Sequence, residues 1–161
     1  MELKTTHKNR LGQIVDVIYR EGDPLVDLEG KKLHSVHAFC FHGDKMVLVR
    51  HPKSGWTPPG GGIEPGESFE DAVTREVKEE TNMKVIHQKL IGFQDTKEPN
   101  RIVRQTRSFC IVEPYGKFVS DPDNDIMEIK LIDPKVYKDY FDWGEIGDRI
   151  MSQALKLKAE F

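Results

Sequence analysis

The sequence predicts an α/β fold, a mixed β-sheet with at least two helices in one domain. Three observations carry this prediction. Short segments rich in β-branched and aromatic residues recur along the chain. Two stretches, 68–83 and 142–161, repeat apolar residues at helical spacing. The 161 residues, 37% of them hydrophobic, suffice for one core, and no repeat or composition break marks a second domain.

Residues 1–10, MELKTTHKNR, are polar and are expected to be frayed. Gln13–Arg20 (QIVDVIYR) reads as a strand and the following EGDP as a turn. Ser35–Phe41 (SVHAFCF) and Lys45–Arg50 (KMVLVR) form a hairpin pattern around His42-Gly43-Asp44. Residues 51–66 hold five glycines and four prolines, more than a helix or strand interior tolerates, so they form an ordered loop. Ser68–Met83 then reads as a helix, with Ser68 and Asp71 as an S-x-x-D start signal. Strands follow at Val85–Phe93, Ile102–Val112 and Ile126–Ile132. A closing helix spans Asp142–Phe161, with Ile146, Ile150, Ala154, Leu157 and Phe161 on one stripe.

Charge narrows the function. The chain has 24 basic and 27 acidic residues and a net charge of −3, so it offers no general cationic surface, and no duplex nucleic acid is expected as partner. Cys40 and Cys110 lie inside apolar runs without zinc-ligand spacing, as buried reduced thiols do. The start lacks an apolar signal core and no run approaches the ~18 apolar residues of a membrane helix, so a cytoplasmic location and no membrane partner are expected. The small net charge also conceals segregation. Residues 64–80 carry seven acids against two bases, and residues 97–107 four bases against one acid.

The first helix departs from its own pattern. At about 100° per residue, Phe69, Ala72, Val73, Val77 and Met83 define an apolar arc, and Glu76 and Glu80 fall within about 20° of its centre. Glu79 sits at the edge. Carboxylates three and four residues apart repel, by ~0.2 to 0.5 kcal/mol per pair even when exposed. Burial raises that cost unless the groups protonate or share a cation. Carboxylate oxygens suit Mg²⁺ or Mn²⁺, and Mg²⁺ commonly takes substrate phosphate oxygens as further ligands. Gly60-Gly61-Gly62, just upstream, brings bare backbone where a Cβ could not go.

From Gly61 to Met83 the chain reads G-x5-E-x7-R-E-U-x-E-E-x-N-U, where U is apolar, and this stretch resembles the Nudix box. One position departs: Asn82 stands where the family has glycine, at the expected helix cap, and asparagine is the next best residue there. The resemblance implies a Nudix-type α/β/α sandwich, a mixed β-sheet between helices, over a single domain of residues 1–161. It implies hydrolysis of a nucleoside diphosphate linked to another moiety, with Mg²⁺ or Mn²⁺ as cofactor. By position, Glu76, Glu79 and Glu80 resemble the metal ligands, with the Gly61 carbonyl as a further one. Arg75 and Glu67 resemble the pair that holds loop and helix together. Glu79 or Glu76 is the expected general base and Glu128 an outside candidate, while Asp121, Asp123, Asp125 and Glu128 form an acidic run that is either a solvated loop or, as the resemblance implies, the source of an extra catalytic carboxylate.

Substrate contacts are expected from Arg50, Arg101 and Arg107. Period-two alternation puts Arg101 and Arg107 on one face and Arg104 on the other, so all three cannot line one pocket. Exposed edge-strand charges are the competing reading. Trp56 could stack a base but reads first as a packing anchor. The six histidines show no ligand spacing and receive no role. Pro99 is a faint echo of the family's ADP-ribose subgroup, and the cysteines and tail motif of its NADH-cleaving subgroup are absent. The expected partner is a small nucleotide-diphosphate substrate, and the protein is a monomer or a homodimer. A non-hydrolytic nucleotide-sensing domain and a 5′-end RNA pyrophosphohydrolase stand as alternatives.

Overall fold

A computed structural model describes residues 1–118, 126 and 128–161. In chain order the strands are β1 (Glu2–Lys8), β2 (Ile14–Arg20), β3 (Lys31–His42), β4 (Lys45–His51), β5 (Gly55–Thr57) and β6 (Gly60–Gly62). Helix α1 (Phe69–Thr81) follows, then β7 (Met83–Lys97), β8 (Ile102–Pro114), β9 (Glu128–Ile132), a 3₁₀ turn at Pro134–Asp139, and α2 (Gly144–Lys158).

The described strands form one sheet in the order β1-β2-β7-β8-β3-β4-β5, with β6 paired to β3 and β9 paired to β4. Every pairing is antiparallel except β3 with β8, which makes the sheet mixed. β3 is central because Ala38–Phe41 is apolar on both faces, as a strand covered on both sides must be. One face carries Phe39, Phe41, Leu48 and Phe109 beneath Ile146, Ile150 and Ala154 of α2. The other carries Val36, Ala38, Cys40, Val47, Cys110 and Val112 beneath Ala72, Val73 and Val77 of α1. Sheet and helices therefore stack as an α/β/α sandwich, and both cysteines are free thiols in the second core.

Residues 1–10 depart from expectation: they are not frayed, because residues 2–8 pair in full register with β2. β1 is polar and largely exposed, so backbone hydrogen bonds and an ion pair from Arg20 to Glu2 (2.8 Å) hold it rather than apolar burial. Residues 51–66 likewise depart from a pure loop, because β5 pairs with β4 and β6 with β3 inside the proline- and glycine-rich stretch. Among the described residues no helix is long and apolar enough to cross a membrane.

Candidate active site

α1 begins where the sequence signals: the Ser68 hydroxyl accepts from the Asp71 amide at 3.1 Å. Burial of Ala72, Val73 and Val77 on the sheet then fixes the rotation of the helix about its axis. With that rotation set, Glu80 is driven into the core edge, only 4% exposed, and its Oε1 accepts from the Gly60 amide at 2.8 Å. One residue on, a Cβ built on Gly61 would lie 2.4 Å from the Glu76 carboxylate. Only glycine lets the loop and this carboxylate approach so closely.

Arg75 joins the loop to the helix. Its Nε and Nη2 donate to the two Glu67 oxygens at 2.8 and 2.9 Å, and Nη2 also donates to the Gly62 carbonyl at 2.8 Å. Its Nη1 donates to Glu76 at 2.9 Å and to Glu79 at 3.3 Å. The guanidinium holds the Glu67 carboxyl down at about 2, helped by the Glu64 amide, and Glu67 with Glu76 pushes the Arg75 pKa up. One cation thus offsets the repulsion that the sequence leaves open between Glu76 and Glu79. Among the described residues no three His, Cys, Asp or Glu side chains are gathered into a ready metal cluster. Glu76 and Glu79 face Arg75, and Glu80 faces the Gly60 amide.

The residues nevertheless fit a hard divalent cation. Three carboxylates and bare glycine backbone supply oxygen donors only, and the cradle at Gly61 has no room for a Cβ.

The arginines expected to contact substrate separate. Arg50 donates from Nε to Glu128 at 3.0 Å across β4 and β9, so these two residues occupy each other. Asp121, Asp123 and Asp125 lie outside the described residues. Arg104 is buried, paired through Nε and Nη2 to Asp95 at 2.8 and 2.9 Å, and its Nη1 donates to the carbonyls of Pro24 and Val26. It is a clamp on the β2–β3 connection. Arg101 and Arg107 share the opposite face, as alternation predicts, and line a cavity of about 1050 Å³. Arg101 is exposed beside Glu98 at 3.5 Å.

Arg107 is 4% exposed and lies 5.2 Å from the Trp143 ring centroid. Its Nη1 and Nη2 donate to the Thr106 carbonyl and Gln105 Oε1 at 3.1 and 3.3 Å. Its Nε has no partner among the described residues. Burial lowers this guanidinium to about 10. His37 and Trp143 were not foreseen. The His37 ring meets Trp143 edge-on at 5.0 Å, and its Nδ1 is buried without a partner among the described residues. Their signal was the alternation His37, Phe39, Phe41 along β3, which places His37 on the α2 face. Trp56 does anchor packing, edge-on to Tyr140 at 6.0 Å.

A family model described as "NUDIX domain" matches residues 31–153. The putative 8-oxo-dGTP diphosphatase YtkD of Bacillus subtilis is 34% identical over 82 residues, 51% of this chain and 52% of the relative. The uncharacterized Nudix hydrolase YvcI of the same organism is 39% identical over 85 residues, 50% of this chain and 54% of the relative. The chain thus spans about half the length of these two curated relatives. Among solved structures, the Bacillus subtilis pyrophosphohydrolase BsRppH superposes with a TM-score of 0.72 at 23% identity, covering 96% of this chain and 97% of that one, a likeness of fold.

Proposed function

The chain belongs to the Nudix family, and from that premise we propose that it is a Mg²⁺- or Mn²⁺-dependent pyrophosphohydrolase of nucleoside diphosphates linked to a further moiety. One observation carries the reading. Glu80 and Glu76 are pressed against side-chain-free Gly60 and Gly61, a gathering of carboxylate oxygens and bare backbone that suits a hard cation. The family typically uses divalent metals, and here Glu76, Glu79, Glu80 and the Gly61 carbonyl would hold one. When bound, such a cation neutralises diphosphate charge and lowers the pKa of an attacking water.

The remaining work falls to the chain itself. Glu67 anchors Arg75, and Arg75 fixes the Gly62 carbonyl and orients Glu76 and Glu79. Either of these two takes the proton from the water as general base. Arg101 and Arg107, in the cavity on the α2 face, hold the part of the substrate away from the scissile bond.

The test is a substrate panel of nucleoside triphosphates, ADP-ribose, NADH, dinucleoside polyphosphates and 5′-triphosphorylated RNA, each with Mg²⁺. Release of a nucleoside monophosphate, or of diphosphate from the RNA, is expected from at least one of them. Glu79→Gln should lower that kcat by about 100-fold or more with the fold retained. Tight binding without turnover on any compound would overturn the enzyme reading in favour of a sensing domain. The engagement of Glu76 and Glu79 by Arg75 favours that second reading.

A further inference from the structure

A guanidinium 4% exposed that has, among the described residues, no carboxylate partner and an orphaned Nε is an unusual thing to bury. Arg104, three residues earlier on the same β8 and on its opposite face, shows the ordinary solution, a bidentate carboxylate. Arg107 has instead the face of Trp143 and one wall of an open cavity. Unsatisfied buried donors are costly, so this one is kept for a ligand.

The ligand's chemistry can be narrowed by position and by charge. Gly60 is the register partner of His37, and His37 of Arg107, so three strands place Arg107 about 10 Å across the sheet from the glycine loop. A diphosphate held at Glu76 to Glu80 does not reach that far, whereas the nucleoside attached to it does. The charged side chains lining the cavity are Arg10, Arg101 and Arg107 against Glu98, Asp142 and Glu145, three of each sign. That balance gives an additional phosphate no net attraction. Val15, Val17, Val103, Trp143 and Ile146 give the lining an apolar part, which suits a flat ring.

We infer that Arg107 is a specificity-determining residue that reads the base of the substrate, donating to two adjacent acceptors on the edge of the ring, as the O6 and N7 of a guanine present them. Arginine matches that pair bidentately, while an adenine offers N7 beside an amino donor that a guanidinium repels. Trp143 keeps the guanidinium in plane and excludes water from it. This inference rests on the proposed substrate class, and it deepens that reading from nucleotide to guanine-type nucleotide.

Equilibrium binding of GTP, ITP, ATP and 7-deaza-GTP, followed in parallel with hydrolysis, tests it. For the wild-type protein Kd for GTP and ITP should be at least about 10-fold lower than for ATP or for 7-deaza-GTP, which lacks the N7 acceptor. In Arg107→Met, with fold verified by circular dichroism, the four values should converge to within about 3-fold. The 7-deaza comparison needs no variant, so it decides the matter even if Arg107→Met does not fold. Equal wild-type affinities for all four, or a variant that weakens all four alike, would overturn the inference. Absence of hydrolysis with the base preference intact would sink the enzyme reading alone.

Discussion

Gly60 and Gly61 are neighbours, yet alanine at each should fail for a different reason. A Cβ on Gly60 would lie 2.2 Å from the Val36 carbonyl oxygen, part of the β3–β6 ladder, which cannot move without breaking the pairing. Gly60→Ala should therefore destabilise the protein by about 1–3 kcal/mol in urea denaturation. A Cβ on Gly61 meets only the tip of the Glu76 side chain, which can swing aside. Gly61→Ala should cost less than about 1 kcal/mol but reduce metal-dependent activity about 10–100-fold. A Gly61→Ala protein with full activity would remove the cradle from the site. The sequence announces that three glycines allow a close approach. Which glycine faces backbone and which faces a carboxylate depends on strand register, and that is a tertiary fact.

α1 is legible almost to the residue because its signals are local: a Ser68 cap, an apolar arc that includes Ala72, Val73 and Val77, and Asn82 at its end. Asn82 does adopt the left-handed conformation (φ 55°), and its amide donates to Lys78 O at 2.9 Å. Its side-chain Nδ2 also donates to Lys117 O at 3.1 Å, a contact that glycine could not make. Asn82→Gly should thus exchange that bond for backbone ease and change stability by no more than about 0.5 kcal/mol, whereas Asn82→Ala should cost about 1 kcal/mol in thermal unfolding. A cost for Asn82→Gly as large as for alanine would show that the Lys117 bond, not the backbone, governs the cap. β1, β5 and β6 escaped the sequence reading because polar, glycine and proline residues build them, and their pairing leaves no apolar period to read. Alternation did sort Arg101 and Arg107 from Arg104. It could not reveal that Asp95 neutralises Arg104 or that Glu128 neutralises Arg50, because those partners come from other strands.

At the scale of the whole molecule, the α2 face couples the fold to pH. Burial pushes the His37 pKa well below its ordinary 6.5, reinforced by Arg107 and His51. The unfolded chain therefore takes up this proton first as pH falls. The stability that His37 contributes is complete above about 6.5 and is lost as pH drops below it, by up to about 1.4 kcal/mol per pH unit. His34, shifted the same way by burial, adds to the effect. Urea midpoints measured between pH 7.5 and 5.5 should fall, and His37→Phe, which keeps a ring against Trp143, should flatten the decline. An unchanged slope in that variant would assign the acid sensitivity elsewhere.

The parallel pairing of β3 with β8, the single one among the described strands, has a kinetic consequence. Ser35 and Gln105 are joined by a hydrogen bond at 3.0 Å although they are 70 residues apart in the chain. α1 and the β3–β4 hairpin can nucleate from near neighbours, but β3 meets β8 only after a long loop has closed, with its entropy cost met in advance. Since β6 hangs on β3 and Arg107 sits on β8, the glycine cradle and the cavity wall are brought together by that one late closure. The glycine cradle and the cavity that we propose for catalysis and recognition thus form in the same step, and a chain stalled before it has neither.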